Sequence, residues 1–209
     1  MMTNQPSPIP LDLSNAVMIG SGTERDCFQH PDNPELCIKV NNGKVLPNKK
    51  QQAKQNQIEY SYYQRLQKRH QQPTVIPQCY GWIETSQGPG LVFDLILNED
   101  GSAAPRLLSA LDDNMLSVAH AKQLLSELKQ QMLQEQIIPS DLHPDNILVQ
   151  QTGALFRLVL VDGIGNRNVF KFAEMIPALG RMKIKRHWVR PMNRLHQKRP
   201  AYFPTPTEA

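Results

Sequence analysis

The sequence predicts an α+β fold in which strands dominate the first half of the chain and helices become frequent later. Short apolar segments bounded by glycine, proline, asparagine and aspartate recur before residue 100, as is typical of strands and their turns. Two longer stretches, 49–70 and 116–136, lack proline and carry apolar residues at helical spacing. Because the strands cluster early, we expect a sheet-rich lobe followed by a helical lobe.

Length and composition set the domain organisation. The 209 residues are 40% hydrophobic and 20% charged, which suits a folded chain with a substantial core. We predict a flexible N-terminal tail over 1–15, an N-terminal lobe with a sheet and one helix over 16–95, and a reduced helical C-terminal lobe with a basic tail over 96–209. There is no apolar run of about 20 residues, so we expect no transmembrane segment. The three cysteines are an odd number without a Cys-x-x-Cys pair, and no secretory signal precedes them, which predicts a cytoplasmic protein with reduced thiols.

The elements of the predicted N-terminal lobe follow in order. A short strand over 17–19 ends in Gly20-Ser21-Gly22, and two strands, 26–28 and 36–40, are joined by a turn-rich linker. In the following helix, Ile58, Tyr62 and Leu66 are spaced by four residues, which places them on one face. A hairpin closes the lobe, with strands over 79–84 and 91–97.

The predicted C-terminal lobe begins with a helix over 116–136. Its apolar face carries Leu124, Leu125, Leu128 and Met132. The stretch IIPSDLHPDNILV follows, and residues 145–162 then predict a strand, a glycine-containing turn and a second strand.

Several polar residues suggest a phosphate site. A glycine turn between antiparallel strands can lay backbone N–H groups over phosphates, although Gly20 and Gly22 also suit a plain hairpin. Lys39 is a lone charge in an apolar strand and needs water, an acid or an anion; Glu59 on the next helix can supply the acid. Lys39 and Glu59 could also each be an ordinary solvated surface residue. Strand alternation places Cys37 on the same face as Lys39.

The stretch after residue 136 suggests a metal site. Asp141 and Asn146 lie five residues apart in a turn stiffened by prolines, and Asp162 ends an apolar strand. Their oxygen atoms suit Mg²⁺ and a hydroxyl nucleophile, although a turn rich in Asp and Asn needs no function. His143 could join Asp145 at a metal, but we interpret it as a hydrogen-bonded structural residue.

The order of these features resembles the protein-kinase-like superfamily. The string SDLHPDNILV is similar to the catalytic loop of its aminoglycoside and choline phosphotransferase branches. A closer resemblance, from about Ile19 to His196, is to the PhoP regulatory network protein YrbL family; it is carried by GSGTERDCFQHPDNPELCIKV, YGWIETSQGPGLVFDLILNEDG and VDGIGN. It implies a protein-kinase-like two-lobed fold with a shortened C-terminal lobe and a bacterial regulatory context.

The resemblance also implies residue roles. ATP would bind with Mg²⁺ between the lobes, Asp141 would accept the proton of the substrate hydroxyl, and Asn146 and Asp162 would hold the metal. The implied nucleotide-binding residues are Gly20 and Gly22 over the phosphates, Arg25 in place of a third glycine, Lys39 held by Glu59, Cys27 and Cys37 beside adenine, and Asp94 and Ile96 in the hinge.

Departures from the kinase pattern leave two functions open. Pro139-Ser140 replaces His-Arg before Asp141, and only 47 residues follow Asp162. The first function is an ATP-dependent phosphotransferase with an unknown acceptor. The alternative is a nucleotide-binding regulatory module, similar to a pseudokinase, that acts through protein interactions.

The C-terminal segment is strongly basic. Residues 178–199 mix apolar side chains with eight lysines and arginines. This composition suits contact with anionic lipid or nucleic acid. It also suits one or two final helices whose apolar residues pack inward and whose basic face is solvated, and the helix-length segment between Pro177 and Pro191 favours this interpretation.

Overall fold

A computed structural model describes residues 9–44, 55–69, 71–140, 142–165, 177–200 and 203. The chain forms two compact units. The first comprises Met1–Tyr60 and Gln78–Leu95, and the second comprises Ser61–Pro77 and Ile96–Ala209.

The first unit is built on a five-stranded antiparallel sheet. The strand order is β1-β2-β3-β5-β4, so β2, β3 and β5 are flanked on both sides whereas β1 and β4 form the edges. The strands are β1 (Met18–Ser21), β2 (Arg25–His30), β3 (Asn33–Asn41), β4 (Cys79–Thr85) and β5 (Gly88–Asp94).

The two faces of this sheet have different chemistry. One face carries a hydrophobic core of Phe28, Ile38, Val40 and Val92, which is closed by Leu13 from the segment before β1. Because side chains alternate along a strand, the neighbouring positions lie on the opposite face. That face carries Cys27, Cys37, Lys39 and Phe93, which are paired across β2, β3 and β5, and we call it the lysine face.

A helix, α1 (Gln55–Lys68), connects β3 to β4. Its buried apolar side includes Tyr62 and Leu66, two of the three residues predicted there, while Ile58 is half-buried. Residues 49–54 and 70 of the predicted helix lie outside the described residues. The Tyr62 hydroxyl donates to the Gln136 carbonyl and accepts from the Ile138 amide, and all three residues belong to the second unit.

The second unit contains the remaining elements. They are α2 (Leu107–Asp112), α3 (Val118–Gln134), a 3-10 turn (Pro144–Asn146), the antiparallel hairpin of β6 (Ile147–Thr152) and β7 (Leu155–Leu160), and α4 (Pro177–Lys198). Ser117 caps α3 by accepting from the His120 amide, and the predicted leucine face of α3 is buried. The α+β prediction is confirmed, although the short α2 was not predicted.

The last helix corrects one sequence expectation. Pro191 was expected to end the helix, but α4 continues through it to Lys198. A proline in a helix removes one backbone hydrogen bond. Buried residues on both sides of it, Trp188 and Leu195, hold the helix on the unit and offset that loss. No helix in the described part of the chain is long and apolar enough to cross a membrane.

Candidate functional site

A buried ion pair lies on the lysine face of the first unit. Lys39 Nζ is 3.7 Å from Glu59 Oε1, and their side chains are 9% and 0% exposed. The ammonium also lies 4.4 Å from the centre of the Phe93 ring, a favourable cation–π geometry. Burying a lysine is expensive without such partners, so the pair makes this position tolerable. The structure therefore brings together the lysine and the glutamate that the sequence singled out.

Arg25 joins this pair from the start of β2. Its Nη1 donates to Glu59 Oε2 at 2.5 Å and to Asn56 Oδ1 at 2.7 Å. Asn56 in turn donates from Nδ2 to the Lys39 carbonyl at 3.0 Å. Glu59 thus forms a hydrogen-bonded ion pair with Arg25 and a longer ion pair with Lys39, and these contacts connect α1 to both β2 and β3. The sequence did not reveal Asn56 or Phe93 as members of this cluster, because neither shows a distinctive spacing.

The two glycines of the turn after β1 have different surroundings. The Gly22 amide donates to the Arg25 carbonyl at 2.8 Å, and a Cβ at Gly22 would lie 3.2 Å from that same oxygen. The Asn42 side chain also donates to the Gly22 carbonyl. Gly20 is paired with Cys27 across β1 and β2, so a side chain at Gly20 would lie on the lysine face. A Cβ at Gly20 would meet no atom within 4 Å.

Two thiols border the lysine on the same face. Cys27 is half-buried and lies opposite Lys39 across β2 and β3, whereas Cys37 is buried. A hydrogen bond with Cys27, together with burial, raises the pKa of the Cys37 thiol well above its usual value. All three cysteines are free, and burial raises the pKa of Cys79 to about 11. Cys27 is therefore the most accessible thiol of the three.

The end of β5 and the residues that follow it hold the two predicted hinge residues. The Asp94 carbonyl accepts from Cys37 Sγ at 3.6 Å, and its carboxylate accepts from the Gln78 amide and the Tyr80 hydroxyl, each at 2.8 Å. The hydrogen bond that the Tyr80 hydroxyl donates to the Asp94 carboxylate raises the pKa of Tyr80. Ile96, in the second unit, is buried, and its carbonyl accepts from the Ala104 amide. Asp94 is thus fixed by its side chain.

In the second unit, backbone hydrogen bonds connect the segments around the predicted metal ligands. The Val161 amide, next to Asp162, donates to the Asn146 carbonyl at 2.9 Å. The Ser140 amide donates to the Gly163 carbonyl at 2.7 Å. Asp141 itself lies outside the described residues, but its neighbour Ser140 and the Asn146 turn are both bonded to the segment around Asp162. Amide and carboxylate oxygens are ligands that suit Mg²⁺.

The 3-10 turn before Asn146 is held from two sides. His143 Nδ1 accepts from the Asp145 amide at 3.1 Å, which supports the structural interpretation of this histidine. Lys198, at the end of α4, lies 3.2 Å from Asp145 Oδ1. Among the residues that the structure describes, no three His, Cys, Asp or Glu side chains form a metal cluster. The end of the basic helix therefore supports the turn that carries Asn146.

Comparison with known proteins decides the family. The sequence profile of the family described as PhoP regulatory network protein YrbL matches residues 11–196. The chain belongs to this family. YrbL of Escherichia coli (strain K12) is 29% identical over 181 residues, which cover 85% of this chain and 84% of that protein. YrbL of Shigella flexneri gives the same values.

Solved structures that are similar to this fold are protein kinase domains. A double mutant of the Mycobacterium tuberculosis PknI kinase domain is 15% identical, with a TM-score of 0.41; the match covers 70% of this chain and 56% of that domain. A single mutant of the same domain gives a TM-score of 0.40 and coverages of 73% and 60%. The chain thus spans between half and two thirds of these kinase domains.

Proposed function

We propose that the chain is an ATP-dependent phosphotransferase that uses Mg-ATP, has an as yet unidentified acceptor and acts in a bacterial regulatory context. The observation that carries the proposal is the buried Lys39–Glu59 pair on the lysine face. A lysine fixed in this way is positioned as a point charge for a phosphate group. The free thiols and the nucleotide substrate favour a cytoplasmic location.

Gly20 gives independent support for a ligand on this face. Its backbone does not have a positive φ, and a Cβ added there would meet no protein atom within 4 Å, so neither the backbone conformation nor packing around the Cβ requires glycine. A glycine without an internal role is understandable if a ligand approaches the backbone closely. The phosphates would then lie over Gly20 and Gly22, with Lys39 as their cationic partner. Cys27 and Cys37 would border the adenine, with Asp94 and Ile96 along its edge.

Asn146 and Asp162 fit the metal that such a nucleotide carries. Both offer oxygen ligands, and the Asn146–Val161 hydrogen bond keeps their backbones in register. Mg²⁺ would be shared between these side chains and the phosphate oxygens, where it neutralises negative charge. These residues therefore have the chemistry that the proposed cofactor demands.

In the proposed phosphoryl transfer, Asp141 acts on the acceptor hydroxyl. It orients the acceptor hydroxyl and accepts its proton while the acceptor oxygen forms a bond to the γ-phosphorus. The bond between that phosphorus and the β–γ bridging oxygen breaks, and ADP leaves with the electron pair. Positioning and charge neutralisation account for most of such catalysis, which suits a site whose groups are already tied to the scaffold.

The glycines provide a sharp test of nucleotide binding. Gly20→Ala should leave the urea midpoint unchanged but weaken Mg-ATP binding about tenfold or more, because the added methyl group occupies the space of the phosphates. Gly90→Ala is the matched control: its Cβ would lie 2.5 Å from Ile38 Cγ2, so it should destabilise the fold instead. Equal Mg-ATP affinity in Gly20→Ala and the wild type would contradict the phosphate assignment.

Asp141→Ala separates the enzyme from the alternative, a nucleotide-binding regulatory module. We expect slow ATP turnover or autophosphorylation in the wild type and its loss in Asp141→Ala, with Mg-ATP binding retained. Nucleotide binding without turnover in either protein would instead favour the module.

A further inference from the structure

Helix α4 presents two unlike sides. Its 22 residues include no aspartate or glutamate. Ile184, Trp188 and Leu195 are buried against the second unit. On the other side apolar side chains stand in solvent: Met182 is 66% and Val189 50% exposed, and Leu179 in the first turn is 39% exposed. One interpretation of the sequence was that all apolar residues of this segment pack inward. In the structure, some of them are buried and others are exposed.

The exposed apolar residues lie on one line between cations. Met182 and Val189 are seven residues apart, about two helical turns, so they lie along the same side of α4. At 100° per residue, Lys185 falls on one flank of this line, and Arg186 and Arg190 fall on the other. All three cations are exposed. We call these five residues the cationic face of α4.

The cations of the cationic face differ in their ion pairing from the cations near the C-terminal end of the helix. Lys198 and Arg199 are engaged in ion pairs with Asp145 and Asp112. Within the described part of the chain, no carboxylate forms an ion pair with Lys185, Arg186 or Arg190. Three cations and two apolar side chains therefore share one solvent-facing side of an anchored helix.

We propose that the cationic face of α4 is a peripheral binding surface for anionic phospholipid bilayers. A helix lying in the membrane interface needs apolar side chains along its centre and basic side chains on its flanks, and this face has both. The flanking cations would lie near lipid phosphates, while Met182 and Val189 would enter the headgroup layer. Nucleic acid would use the cations but gain little from two aliphatic side chains at the centre of the contact.

The binding should be weak and sensitive to salt. Few apolar residues would enter the bilayer, so most of the attraction is electrostatic and is screened at high ionic strength. Each basic residue near an anionic bilayer strengthens binding about fivefold, so removing all three should weaken it roughly a hundredfold. The buried side of α4 remains in place throughout, because binding requires no unfolding.

The test is flotation of the full-length protein with vesicles of phosphatidylcholine alone or with 30% phosphatidylglycerol. Three variants are compared with the wild type: Lys185→Gln/Arg186→Gln/Arg190→Gln, Met182→Gln/Val189→Gln, and a control, Lys68→Gln/Lys122→Gln/Lys129→Gln, that removes the same charge elsewhere in the second unit. We expect binding only to the anionic vesicles, its loss in the first variant, an approximately tenfold weakening in the second, and near wild-type binding in the control. Thermal melting checks that each variant is folded.

Three results would overturn the proposal. The first is no binding of the wild type to anionic vesicles at low salt. The second is an equal loss of vesicle binding in the control variant, which would mean that binding depends only on the net charge of the protein. The third is binding of a short DNA or RNA duplex that depends on the three cations but not on Met182 and Val189, without vesicle binding; this would assign the face to nucleic acid.

Discussion

The Arg25–Glu59–Lys39 cluster makes an asymmetric prediction about stability. Glu59 accepts a direct bond from Arg25 at 2.5 Å, whereas Lys39 is 3.7 Å away. Arg25→Met removes the direct bond and leaves a carboxylate with 0% exposure paired with Lys39 at the longer distance. Removing one partner of a buried pair costs about 3–5 kcal/mol, and we expect about 3 kcal/mol here because Lys39 remains.

Lys39→Met leaves the Arg25 bond intact. We therefore expect it to cost only about 1 kcal/mol, which is the size of an ordinary net hydrogen bond or ion pair. Mg-ATP binding should respond in the opposite order, since Lys39 is the proposed phosphate partner and Arg25 is directed at Glu59. Arg25 would then mainly stabilise the fold, and Lys39 would mainly bind the ligand.

Urea denaturation measures this difference. With a slope of about 2 kcal/mol per molar urea, Arg25→Met should lower the midpoint by about 1.5 M and Lys39→Met by about 0.5 M. In a double-mutant cycle with Glu59→Gln, Arg25 and Glu59 should show a coupling of about 2 kcal/mol. Equal midpoints for the two single variants, or additive effects in the cycle, would refute the assignment of Arg25 as the main partner of Glu59.

Two predictions concern the thiols. Mg-ATP should slow alkylation of the half-buried Cys27, while buried Cys79 should label slowly with or without nucleotide; equal Cys27 rates in both conditions would remove it from the adenine pocket. Burial raises the pKa of Cys79 to about 11, so its protonated form is favoured in the folded state, and its contribution to stability is present below about pH 9 and lost as the pH rises through 11. The unfolding free energy should thus fall by up to about 2 kcal/mol over that interval, and less in Cys79→Ala; identical pH profiles would contradict this.

Much of the fold could be predicted because its signals are local. Helix α3 was evident from the spacing of its leucines, and the β6–β7 hairpin from two apolar segments around a glycine turn. The alternation of β3 correctly placed Cys37 and Lys39 on one face. The continuation of α4 through Pro191 was not predictable, because it depends on the burial of Trp188 and Leu195 and not on local preference.

Two residues of the buried cluster could be predicted from the sequence, but most of the contacts within the cluster could not. Lys39 and Glu59 were chosen from the residues themselves, and the structure pairs them. The Arg25 contacts span more than 30 positions and have no periodic signature, so its pairing with Glu59 could only be found in three dimensions. Asn56, which connects Arg25 to the Lys39 backbone, was missed for the same reason.

The most direct test of the proposed function is equilibrium binding of ATP, measured by isothermal titration calorimetry with and without Mg²⁺. Wild-type protein should bind Mg-ATP, Lys39→Met should bind it much more weakly, and Asp162→Asn should lose the dependence on magnesium, with all three proteins folded. Absence of binding by folded wild-type protein at millimolar Mg-ATP, or equal affinity in all three, would contradict the account.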